Sequence, residues 1–383
     1  MHAIKSFILT LVLVVLAQAD SRLTVYVYPP SQPLNWKSPK TLIYSFLRIQ
    51  GLKAIKQIPS SSSSFVSDFN EPGSIDTMYM STMGHTIAHV QCELENGVLY
   101  DRWSSLSGED DVSEDYNLAF KQKIGVGLLF HKFIDGHIIS GAENYKRLIH
   151  YRGQKYKDSN GKTQVSKPKY LSFSIDPQQC QNLKGMIDFY ESFHFPKNTP
   201  TSELKKRSAQ QTLFFTNVID PYDSYIERQK NSQAEVGGGC APYAVGLVKM
   251  TGLFTATLDK IWSRLQPVSE NLIGGVSASG QTVRAVNMNS ILVGKLGNHW
   301  MYAGQPNQVV KMYDPQNIWE NIMALENCVS KKQCTAELEA IQREFQMLGK
   351  SLHVGSPHVF ADQYRAGKKE KSVSQSITGL EVR

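Results

Sequence analysis

The segment Glu235-Val-Gly-Gly-Gly-Cys240-Ala-Pro-Tyr-Ala-Val-Gly-Leu-Val-Lys-Met-Thr-Gly252 constrains the fold more than any other stretch of the chain. Three consecutive glycines let the backbone turn sharply and come close to a neighbour. Ala241, Ala244, Val245 and Val248 then recur at helical spacing, with Pro242 suited to a first turn and Gly252 to a stop. The spacing predicts a short helix with Cys240 at its head. Unpaired N–H groups and the helix dipole there favour thiolate over thiol, and the N–H groups around Gly239 and Ala241 can receive a developing oxyanion. A cysteine nucleophile is the sharper expectation; a packed or disulfide-bonded cysteine is the plainer one.

Cysteine parity bears on that choice. The chain opens Met1-His-Ala-Ile-Lys5, runs apolar from Phe7 to Leu16 and reaches Ala17-Gln-Ala19. This is the pattern of a secretory signal peptide, residues 1–19, with cleavage after Ala19. No later stretch approaches the ~20 apolar residues of a membrane helix. The mature protein is therefore expected in an exported compartment, periplasmic or secreted, where disulfides persist. Of Cys92, Cys180, Cys240, Cys328 and Cys334, the last two flank a short polar loop and are the expected pair. The odd count leaves a thiol, and the glycine-flanked Cys240 is the expected one. Cys92 and Cys180 either pair or stay reduced.

Short strand-like and helix-like stretches are mixed along the chain, which indicates an α+β fold. Residues 20–365 read as one such domain with insertions, and 366–383 as a flexible tail. Strands are expected over 23–28, 85–94, 98–103, 124–133 and 170–175. The 85–94 and 98–103 pair is joined by the hairpin signal Glu95-Asn96-Gly97. Asp176-Pro177 opens a helix to about Phe193, Ser38-Pro39 another, and a third spans about 333–350.

A cysteine nucleophile needs an imidazole. His85 follows Gly84 at the start of a β-rich stretch. Alternation puts Ala88, Val90, Cys92 and Leu94 on one face and His85, Ile87, His89, Gln91 and Glu93 on the other. A lone surface histidine is the bland reading; the glycine beside it makes His85 the expected base. The i, i+4, i+8 spacing of His85, His89 and Glu93 would line up metal ligands on a helix. On a strand it sets the two histidines roughly 13 Å apart, so no metal and no cofactor are expected. His131 borders the 124–133 strand and is a weaker candidate, as are His89 and Glu93.

The Gly-His strand at 83–103 and the later cysteine-headed helix at 236–252 resemble the circularly permuted NlpC-like papain-fold cysteine hydrolases, which include the lecithin-retinol-acyltransferase-like enzymes. In that group the histidine precedes the cysteine, as here. The resemblance implies a papain-like core of antiparallel sheet packed on a nucleophile-bearing helix. It also implies a third polar residue on the strand after the histidine, which Asp101 matches. The 155 residues between His85 and Cys240 exceed what the compact family needs and imply large insertions.

Two functions follow as expectations. One is an exported thiol-dependent hydrolase or acyltransferase cutting an amide or ester bond in a cell-envelope peptide or lipid. The other is a non-catalytic exported envelope-binding protein with a degenerate papain-like domain. A net charge of +7 is mild for 383 residues. With no aromatic-interleaved basic stripe and no paired His-x-Lys motif, nucleic acid is not an expected partner.

Overall fold

The computed structural model describes residues 21–30, 33–50, 84–108, 136–139, 144, 148, 151, 155–157, 161–193, 220–232, 239–273, 275–276, 282–283, 286, 290–291, 298–331 and 334–356. Residues 1–19, expected as a signal peptide, the expected 124–133 strand with His131, and the expected tail 366–383 lie outside the described residues.

Six antiparallel strands form the main sheet. They are β1 (Arg22–Tyr28), β2 (His85–Glu93), β3 (Leu99–Gly108), β4 (Gly136–Ile139), β7 (Lys169–Ser174) and β12 (Leu352–Gly355), in the order β12-β7-β1-β2-β3-β4. Two-stranded ribbons pair β5 (Lys155–Lys157) with β6 (Thr163–Val165), β8 (Ser263–Ser269) with β11 (Asn307–Tyr313), and β9 (Gly275–Val276) with β10 (Thr282–Val283). Among the described residues there are eight helices: α1 (Pro39–Gln50), α2 (Pro177–Ser192), α3 (Pro221–Lys230), α4 (Cys240–Met250), α5 (Ala256–Trp262), α6 (Glu270–Ile273), α7 (Pro315–Lys331) and α8 (Ala336–Met347). The class is α+β.

Local chemistry accounts for the boundaries. Gly97, at φ +79°, turns the chain between β2 and β3, because the left-handed region costs glycine nothing. Asp176 accepts from the Gln179 N–H while the Gln179 side chain accepts from the Asp176 N–H. That capping box, with Pro177 in the first turn, starts α2. Gly252, at φ +71°, follows α4.

β2 is an interior strand, paired with β1 on one side and β3 on the other. Both faces of the sheet at this strand are covered, and the period-2 pattern sorts side chains into two layers. Leu23, Val25, Val27, Ala88, Val90, Cys92, Leu171 and Phe173 meet the apolar stripes of α2, α4 and α7 in the larger core. Tyr26, Tyr28, Ile87, Trp103 and Tyr170 form an aromatic layer on the opposite face, with Leu148 and Tyr151 against it.

Two disulfides lock this arrangement. Cys92–Cys180 joins β2 to α2 inside the larger core, where both residues are fully buried. Cys328–Cys334 closes six residues at the end of α7. Cys240 belongs to neither bridge. No helix among the described residues is long and apolar enough to cross a membrane.

Candidate functional site

The site begins with a glycine. Gly84 has φ +79°, and a Cβ there would stand 2.8 Å from the Tyr28 carbonyl oxygen and 2.9 Å from Pro30 N. A bare backbone lets the start of β2 press against the end of β1, with His85 directly across from Tyr28. The imidazole is 2% exposed and lies 5.8 Å, centroid to centroid, from the Tyr28 ring.

Two buried polar residues hold it. His85 Nε2 is 3.0 Å from Ser105 Oγ, and the Ser105 hydroxyl donates to Asn144 Oδ1 at 2.6 Å. An amide oxygen can only accept, so the Ser105 proton is committed to Asn144. Ser105 Oγ then accepts from His85, which places a ring proton on Nε2. The chain fixes the orientation of the ring.

Four residues along the strand a second histidine is held differently. His89 Nε2 meets Asp101 Oδ1 at 2.8 Å, and its ring stacks on Trp103 at 4.2 Å with 11° between the planes. His89 is buried while the Asp101 side chain is 24% exposed, so the pair runs from the aromatic layer toward the surface. Tyr26 stacks on the same Trp103 at 5.2 Å. Burial, with Tyr170 nearby, pushes the Tyr26 phenol well above its usual range, so it stays a neutral hydroxyl.

Cys240 heads α4, half-buried, behind the extended N-cap Gly239, which offers no side-chain cap. Ala241 is buried in the larger core. One turn on, Tyr243 and Ser104 share a 2.8 Å hydrogen bond that pins α4 to β3. Burial raises the Tyr243 phenol far beyond physiological pH, the Ser104 bond notwithstanding, so this anchor too is neutral.

Ser104 and Ser105 are consecutive on one strand and point to opposite faces. Ser104 meets α4; Ser105 meets His85. The helix carrying Cys240 therefore packs on the face opposite the one that holds the His85 ring. Asp101, the expected orienter of His85, is bonded to His89, and Ser105 and Asn144 take the role at His85. Glu93 ends β2 as an exposed residue. His131 falls outside the described residues. Among those residues, no group of three His, Cys, Asp or Glu gathers as a metal site would.

Sequence reasoning missed Ser105 and Asn144. Extending β3 past Trp103 would have put Ser105 on the histidine face, because the Gly97 hairpin fixes the register. Asn144 had no local signal, since only the fold brings it across 39 residues to Ser105. Comparison with family models, with curated proteins and with solved structures found no match.

Proposed function

We propose that this protein is an exported hydrolase or acyltransferase acting on an amide or ester bond, with His85 as its acid–base group. The observation behind this reading is the buried His85–Ser105–Asn144 chain. A general base needs one ring nitrogen held by a fixed partner so that the other keeps its lone pair and its aim. The chain holds the ring at Nε2 and so fixes its aim. Two disulfides suit an oxidising exported compartment. A cell-envelope peptide amide or lipid acyl ester fits that location, and a charge of +7 gives a mild preference for anionic surfaces.

Cys240 enters in one of two ways. In a thiol mechanism it attacks the carbonyl, His85 takes the thiol proton, and the N–H groups at the head of α4 hold the oxyanion. In a hydrolytic mechanism His85 activates water, and the thiol is a bystander. The second reading of the protein, a non-catalytic envelope-binding protein, draws support from the depth of the His85 ring and from the sheet between ring and thiol.

Turnover of p-nitrophenyl acyl esters and of cell-wall peptides by the mature protein decides among these. His85→Ala is expected to lower kcat/KM by at least ~100-fold. Cys240→Ala is expected to match that loss if the thiol attacks, and to leave turnover near wild type if water does. Wild-type turnover in His85→Ala would defeat the proposal. Absence of turnover in the wild-type protein would favour the binding reading.

A further inference from the structure

Leu34, Asn35 and Trp36 follow β1 closely, yet distant residues hold them. The Leu34 N–H donates to Gln316 Oε1 at 2.8 Å, and the Trp300 indole N–H donates to the Trp36 carbonyl at 2.8 Å. The Asn35 N–H donates to Ser45 Oγ at 3.0 Å. The Trp36 ring stacks with Trp300, and the Arg264 guanidinium lies over it, 4.9 Å from the centroid. These bonds fix a cleft of about 580 Å³ bordered by α1, β8 and α7, with Pro33, Asn35, Trp36, Arg264, Gln316 and Glu320 in its wall. The volume lies in the range of small-ligand sites, and the wall is preformed.

Its chemistry narrows the ligand. Arg264 Nε donates to Asp314 Oδ2 at 3.1 Å, so a carboxylate already balances the guanidinium charge. Gln316 Nε2 donates to Glu320 Oε1 at 2.9 Å, steadying a second carboxylate whose other oxygen can accept. With Arg264 already balanced by Asp314 behind it and Glu320 in the wall, the cleft repels phosphate and carboxylate ligands rather than attracting them. Predominantly polar walls disfavour a lipid tail. Amide, guanidinium and carboxylate groups together present the paired donors and acceptors that adjacent hydroxyls match. The exposed Pro33 ring adds apolar surface for C–H groups.

We propose that this cleft binds a neutral saccharide. The site shares no residue with the His85 layer, so it stands whether or not the protein is a hydrolase. Calorimetric titration of the full chain with cellotriose, maltotriose and triacetylchitotriose, each to about 10 mM, tests it. At least one sugar is expected to bind saturably with a Kd of about 1 mM or tighter. Glu320→Ala and Asn35→Ala are expected to weaken that binding at least ~10-fold while the thermal melt is unchanged. No saturable heat with any of the three sugars would overturn the proposal. So would binding unaffected by both substitutions.

Discussion

Replacing Cys92 and Cys180 together by alanine is expected to cost about 4–5 kcal/mol of stability, the largest loss of any change considered for this chain. The bridge spans 88 residues, and cross-linking a loop of that length removes roughly that much entropy from the unfolded ensemble. Both sulfurs sit in the larger core, so the truncated pair also leaves unfilled volume. Removing Cys328–Cys334, which closes only six residues, is expected to cost about 2 kcal/mol. Guanidinium titrations of both double variants under non-reducing conditions check the order. Equal losses would mean that the bridge between β2 and α2 does not organise the core.

The second large effect is expected at Gly84. An alanine there meets a left-handed backbone, costing about 1–2 kcal/mol. Its Cβ also presses on main-chain atoms of Tyr28 and Pro30, which cannot rotate away as a side chain could. A total of at least ~3 kcal/mol is expected, together with displacement of His85 from Ser105. Gly97→Ala is the control. It shares the φ of +79°, but its nearest neighbour is a flexible Glu93 carboxylate at 3.6 Å, so about 1–2 kcal/mol is expected. Chemical denaturation of the two variants gives the comparison, and a Gly84→Ala loss no greater than that of Gly97→Ala would refute the close-approach argument.

Much of the fold was legible because it is written locally. β-branched and aromatic runs marked β1, β2 and β7, and Asn96-Gly97 marked the hairpin. Asp176-Pro177 marked α2, and the glycine-flanked segment marked α4 with Cys240 at its head. Period-2 alternation sorted the two faces of β2 correctly, including which residues accompany His85. The start of α7 went unread although its signals were present. Asp314 accepts from the Asn317 N–H, Pro315 occupies the first turn, and Ile318, Ile322 and Leu325 repeat at helical spacing. The helix runs through Cys328, so the stretch expected to be a polar loop is largely its last turn.

The site was less legible, for a physical reason. A strand pattern says that two residues share a face, but not which layer will cover it. His85 and His89 were each recognisable from the alternation. Asp101 could be placed on the neighbouring strand, but its choice of His89 depends on register and on the Trp103 stack. The position of α4 relative to the His85 ring depends on which face of the sheet the helix covers, and no local pattern near Cys240 encodes that.

The central claim is that Ser105 and Asn144 hold the His85 ring through a proton on Nε2. Long-range proton–nitrogen correlation NMR of the protein, labelled at histidine nitrogen and recorded at neutral pH, reads the tautomer directly. The account predicts one slowly exchanging His85 ring with a protonated Nε2, and a mixture of tautomers once Ser105 is replaced by alanine. A wild-type ring without a proton on Nε2, or one already averaged between tautomers, would contradict it.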